Sequence, residues 1–425
     1  MNIFDQLLAD NQIPKFVRVR HEMDHSHIDD IEGAVAQAMR REGTLDRIKP
    51  GDSVCITAGS RDVANIARII RAICDQVKSV GAHPFIIPAM GSHAGAKAEG
   101  QRGIIEGYGV TEEAMGAPIR ASMDTEVIAH SRSGLEIHLD KFANAADFLI
   151  PVGRIKAHTD FRGEVESGIC KMLVIGMGKQ HGAYQCHKLG FKSMAANVKE
   201  FAGAIIEKKP NMFAIGLIEN AYHQTCRIEA IPAGRILEEE PPLLEYAKSR
   251  MAKVPFDQAD ILFADETGKD ISGAGMDPNV TGRSPVLGIS RPFFQRIAVF
   301  DLTDKSHGNF GGLGSADVTT QRLYRKIDFE QTYPNGITAA EPLAVRLPAV
   351  MPSDRTAMQF ALRTATDCDW EKGPRIVWLK NTLSLSEFYI SEALIPDAEA
   401  LDNVTIVSEP MEVIFDEEGN VKELR

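Results

Sequence analysis

Between Gly153 and His187 the chain carries His158, His181 and His187, the bases Arg154, Lys156, Arg162, Lys171 and Lys179, the thiols Cys170 and Cys186, and several glycines. Side chains that bind metals, move protons or attack carbonyls are denser here than packing alone explains. Lys171 precedes the apolar run Met172-Leu-Val-Ile175 and is expected to start half-buried. A desolvated lysine yields its proton more readily and can act as a nucleophile or a covalent anchor. Upstream, His93 stands in Met90-Gly-Ser-His93-Ala-Gly, where small residues let backbone approach a ligand. Gly59-Ser60-Arg61 opens a helix, a place suited to an anion, and Arg61 adds a planar fork for a carboxylate or phosphate.

The spacing does not choose a metal. The chain has no HExxH, CxxC, GxSxG elbow or phosphate-binding GxxxxGK[ST], and Gly91 to Gly100 lacks GxGxxG spacing. Asp24-His25-Ser26-His27 looks like a metal pair but lies in a polar connection and reads as a solvated turn. Three readings stay open on these residues. His93, His158 and His187 could bind Zn²⁺ directly in a hydrolase or lyase. They could serve a metal-containing cofactor. The chain could also hold nickel or a nucleotide without catalysing anything.

The elements that must position these side chains alternate as strand and helix. Ser53–Thr57 reads as a strand, Asp62 to about Val80 as a helix stopped by Gly81, and Pro84–Pro88 as the next strand. Ala146–Val152 reads as a buried strand, Met194–Lys208 as a helix, Phe213–Ile218 as a strand, and Glu238 to about Lys253 as a helix. Strand, helix, strand order favours parallel sheets, whose ligands lie beyond the carboxyl ends of the strands. His93, the His158 segment and Arg61 all follow such ends. A boundary near Val254-Pro255 separates residues 1–254 from a second α/β series over 255–425. That series has strands at Ala259–Ala264, Ile297–Leu302 and Ile376–Leu379, with helices near Thr319–Arg325 and Asp354–Ala365. Its long Gly-rich loop, Asp265 to Arg283, carries Lys269 and Arg283 and is expected to close over the first domain. The expectation is two α/β domains with mostly parallel sheets and an active site in the cleft between them. The tail from Met411 reads as a strand and hairpin.

Composition narrows the class. With 425 residues, 44% hydrophobic and 25% charged, the chain is a globular protein large enough for two domains. A net charge of −12 argues against nucleic acid or an anionic membrane as partner, while leaving room for a small anion in a basic cleft. No apolar run reaches membrane-spanning length, and the acidic start MNIFDQLLADNQ does not resemble a secretory signal. Six scattered cysteines read as reduced thiols of a soluble, cytoplasmic protein.

The order of these residues resembles the nickel-dependent lactate racemase family over most of the chain, most sharply from Arg61 to His187. The family's Gly-Thr-His after an early strand is matched by Gly91-Ser92-His93. Its later His, Gly-rich loop, Lys and further His are matched by His158, Lys171 and His187, and Arg61 fits an arginine near the substrate. The resemblance implies a nickel-pincer nucleotide, a pyridinium mononucleotide holding Ni through carbon and sulfur. Lys171 would anchor it through a thioamide and His187 would be the protein ligand to Ni. His93 and His158 would be acid/base residues on opposite faces of a 2-hydroxy acid, and Arg61 would hold its carboxylate. Lys269 and Arg283 would bind a second carboxylate or sugar-acid hydroxyls. The implied activity is a 2-hydroxyacid racemase or epimerase, dependent on enzymes that make the cofactor, with the number of copies in the assembly open. The family's Asp three residues before the Arg is Ala58 here, and its Gly-Gly-Ala-Lys is Ser167-Gly-Ile-Cys-Lys171. These departures imply a substrate other than lactate.

Overall fold

The computed structural model describes residues 3–60, 63–284, 291–339 and 341–425, and the candidate Arg61 lies outside the described residues. The chain forms two compact units, Asp24–Met251 and a second built from Met1–Met23 with Ala252–Arg425. Both are α/β, and no helix among the described residues is long and apolar enough to cross a membrane.

In the Asp24–Met251 unit the strand Ser53–Ala58 lies parallel to His83–Pro88 on one side and Phe148–Ile150 on the other. The helix Ile66–Ser79 crosses between the first two, burying Ile66, Ile69, Ile70 and Ile73 at helical spacing. The strand expected over 146–152 is broken in two. Phe148–Ile150 belongs to the first sheet, whereas Val152–Arg154 runs parallel to Phe213–Glu219 in another, which Thr225–Pro232 completes in antiparallel fashion. Pro151 makes the break. It has no N–H to continue the ladder, and its carbonyl accepts from Ile215 N at 2.8 Å.

A hairpin that hydrophobic pattern did not announce, Thr125–His130 with Glu136–Asp140, provides the floor for the helix Lys179–His187. Three contacts join them. Asp140 pairs with Lys179 at 3.1 Å, both fully buried. His138 stacks on His181 with centroids 5.5 Å apart. Glu136 accepts from Gln185 Nε2 at 3.2 Å. Lys179 also donates to the carbonyl of Pro88, at the end of its strand. To reach both partners Lys179 adopts a φ of +54°, a conformation that costs an L-residue about 1–2 kcal/mol. Burial pushes the Lys179 pKa down and Asp140 opposes the shift.

The other unit is organised around an eight-stranded sheet. Ala349–Met351, Val318–Thr320, Phe293–Leu302, Gln258–Thr267 and Ile376–Leu379 run parallel in that order. Glu387–Ser391, Phe16–His21 and Val404–Ile406 extend it in antiparallel fashion. The first 23 residues therefore join the C-terminal unit instead of the expected 1–254 domain. Phe16–His21 finds its backbone partners near residues 390 and 405, a pairing that no local pattern announces. The tail forms the hairpin Val413–Phe415 with Val421–Leu424, packed on this unit's core.

Lys179→Met leaves the Asp140 carboxylate buried without its counter-charge. Denaturant unfolding should show a loss of about 3–5 kcal/mol, against a change within about 0.5 kcal/mol for Lys188→Met at the surface.

Candidate active site

The segment expected to be one long loop is largely helical. Ile169–Lys171 forms a first turn, Met172–Gly176 continues it as a π-helix, and Lys179–His187 follows. A π-bulge shifts the side chains after it and is frequent at functional sites. Here it follows Lys171, and the left-handed φ of Lys179 then opens a separate helix that ends at His187. Glycines at 176, 178 and 182 disguised this run in the sequence.

His158 is held at every polar atom. Its backbone N–H donates to the buried Glu166 Oε2 at 2.7 Å, and Lys248 pairs with the other oxygen of that carboxylate at 3.0 Å. Its ring stacks on Phe161 at 4.2 Å. Nδ1 accepts the backbone N–H of Asp160 at 3.0 Å, and Nε2 lies 2.6 Å from Lys171 Nζ. Burial first, and then the positive charges of Lys171 and Lys156, hold its pKa well below that of an ordinary histidine, so the ring is neutral. Nε2 and Lys171 Nζ share one short hydrogen bond, so an imidazole and an amine stand in direct contact.

His187 ends its helix half-buried, with its ring edge-on to Phe191 at 5.6 Å. Burial, then the charge of Lys171, lowers its pKa to about 4. It presents a neutral imidazole, the form that ligates a metal. Cys170 and Cys186 are buried in the core, and burial pushes both thiols up, Cys186 to about 12.

His93 is exposed, and Ser60 Oγ bonds its Nδ1. Tyr108 Oη donates to the Ser60 carbonyl at 2.6 Å, and the buried Gln101 donates to the carbonyls of Gly91 and His93. The loop rests on the π-helical run. Gly91 has a φ of +60°, and a Cβ there would meet Ile175 Cγ2 at 3.1 Å, so this contact needs glycine. Gly91 N donates to the Gly176 carbonyl at 3.4 Å. The structure thus gathers His158, Lys171 and His187, and seats the His93 loop on the same run.

Other expected residues differ. Ala58 is buried in the core at the end of its strand. Lys269 and Arg283 belong to the other unit. Lys269 Nζ donates to the Gly273 carbonyl at 2.7 Å. Arg283 pairs with Asp317 at 2.6 Å and donates to the carbonyls of Phe294 and Gln295, so its fork ties together its own unit. Asp24 to His27 is a turn, with Asp24 bound to Ser26 N and Arg250 and His27 to Asp29. Ser60, Glu166, Glu240 and Lys179 support the site but carried no motif.

Among the described residues no three His, Cys, Asp or Glu side chains form a group able to hold a metal ion.

No family model matches this chain, and no curated protein matches it in sequence. Among solved structures, the lactate racemase apoprotein from Thermoanaerobacterium thermosaccharolyticum aligns with a TM-score of 0.51 at 16% identity, covering 86% of this chain and 93% of that one. A protein from Thermotoga maritima aligns at 0.48 and 10% identity, covering 84% and 97%. The first likeness is one of fold: this chain has a lactate racemase-like fold.

The two depressed histidines predict a pH dependence. Unfolded, both titrate near 6.5. Folded, both resist protonation, His187 to about 4. Below pH 6.5 the unfolded chain binds protons that the fold refuses, so this contribution to stability is complete above 6.5 and declines toward pH 4. The melting temperature should fall more between pH 7.5 and 4.5 in the wild type than in His158→Gln/His187→Gln; equal falls would contradict the assignment.

Proposed function

We propose that this protein is a 2-hydroxyacid racemase or epimerase that works with a nickel-pincer nucleotide. The observation that carries the reading is the 2.6 Å contact of His158 Nε2 with Lys171 Nζ beside the neutral His187. The lactate racemase-like fold agrees with it.

Lys171 would anchor the group through its amine, and His187 would be the protein ligand to nickel. When bound, the group supplies a hydride acceptor, chemistry no side chain provides. The protein's part is binding and proton transfer. Lys156, Lys171 and Arg162 set a positive field at His158, which suits an anionic cofactor and a substrate carboxylate. Ser60 occupies Nδ1 of His93, and the Asp160 N–H occupies Nδ1 of His158. In both rings Nε2 is therefore the working nitrogen. Enantiomers of a 2-hydroxy acid place their hydroxyls on different sides, so two bases are needed, one for each hydroxyl proton. His93 and His158 fill these roles. With Lys171 engaged by the group, its contact with His158 would be released, leaving that Nε2 to the substrate.

The test is to produce the protein beside enzymes that make the cofactor and to measure its mass, its metal and its action on a panel of 2-hydroxy acids by chiral chromatography. A mass increase at Lys171, bound nickel and racemisation are expected. His93→Ala and His158→Ala should each lower the rate by at least about 100-fold with nickel retained, whereas His187→Ala should lose nickel. Stoichiometric zinc with no absorbance beyond the protein band would overturn the proposal.

A further inference from the structure

Lys171 closes the turn Ile169–Lys171, so its direction depends on where that turn begins. The first N–H groups of a helix have no partner within it, and no side chain on the preceding residue caps this one. The acceptor comes from far along the chain. Glu240, fully buried in the helix Ile236–Arg250, accepts the Cys170 N–H at 2.9 Å. A Cβ on Gly168 would overlap Glu240 Oε1, so only glycine at 168 admits the carboxylate. Burial pushes the Glu240 pKa up, and the Cys170 thiol with the N–H groups of Cys170 and Ile169 resists the shift.

A buried carboxylate costs several kcal/mol, and a serine or threonine beside the turn would cap it more cheaply. The same helix also supplies Lys248, whose ion pair holds Glu166, the acceptor of the His158 N–H. One helix thus fastens both members of the pair: Lys171 through Glu240, and His158 through Lys248 and Glu166.

We propose that Glu240 is a positioning residue for Lys171, fixing the start of its turn so that the amine meets His158 Nε2. The inference rests on reading Lys171 as the anchoring amine. Its test uses the protein free of cofactor, so the two can fail separately. Trace acylation with acetic anhydride over a pH series, quantified by peptide mass spectrometry, gives the reactivity of Lys171 relative to the exposed Lys188. Glu240→Gln keeps an acceptor for the Cys170 N–H and should keep the wild-type ratio and pH profile. Glu240→Met keeps the volume without the acceptor and should lower the ratio about tenfold in protein that still melts cooperatively. If Glu240→Met does not fold, Glu240→Asp, which withdraws the carboxylate by one methylene, is expected to show the same loss. A wild-type ratio in the folded Met or Asp variant overturns the proposal, as does a loss in Glu240→Gln equal to theirs. Absence of a mass addition at Lys171 in cofactor-producing cells would instead count against the proposed function and leave this result standing.

Discussion

Lys179 and Asp140 are both fully buried, and their ion pair joins parts of the chain that are distant in sequence. Lys179 reaches the carbonyl of Pro88 at a strand end, while Asp140 caps the turn Lys141–Ala145 and donates its own N–H to the Met177 carbonyl. A buried ion pair contributes little net stability, but losing one partner is severe, so such pairs act as alignment constraints. Here the constraint sets the start of the helix that ends at His187. The His138–His181 stack and the Glu136–Gln185 bond continue the alignment along that helix.

The electrostatics of the site run against those of the protein. The chain carries a net charge of −12, yet His158 is surrounded by Lys156, Arg162 and Lys171. The buried carboxylates Glu166 and Glu240 stand behind the functional side chains and bind backbone N–H groups. Their bonded oxygens are directed at the scaffold. This division explains how two histidines stay neutral in a region rich in cations: protonating either would add a charge where burial and like charge both oppose it.

Much of the fold and of the site was legible in the sequence. Ser53–Ala58, Ile66–Ser79, His83–Pro88 and Ile376–Leu379 follow from local apolar patterns. The concentration of His, Lys and Arg from Gly153 to His187 marked the site by composition. Pattern did not reveal the hairpin Thr125–Asp140, the helical course of Ile169–His187, or the placement of Phe16–His21 in the second unit's sheet. Each depends on partners far away: glycines close-packed against other segments, or backbone pairs nearly 400 residues apart. By itself the sequence determined which chemical groups this protein has, and that they follow strand ends. The tertiary structure alone decided which of them meet. It put His158 against Lys171, turned Arg283 into a brace and buried Ala58. Contacts and charge depend on distance in space, and distance along the chain encodes that only where structure is local.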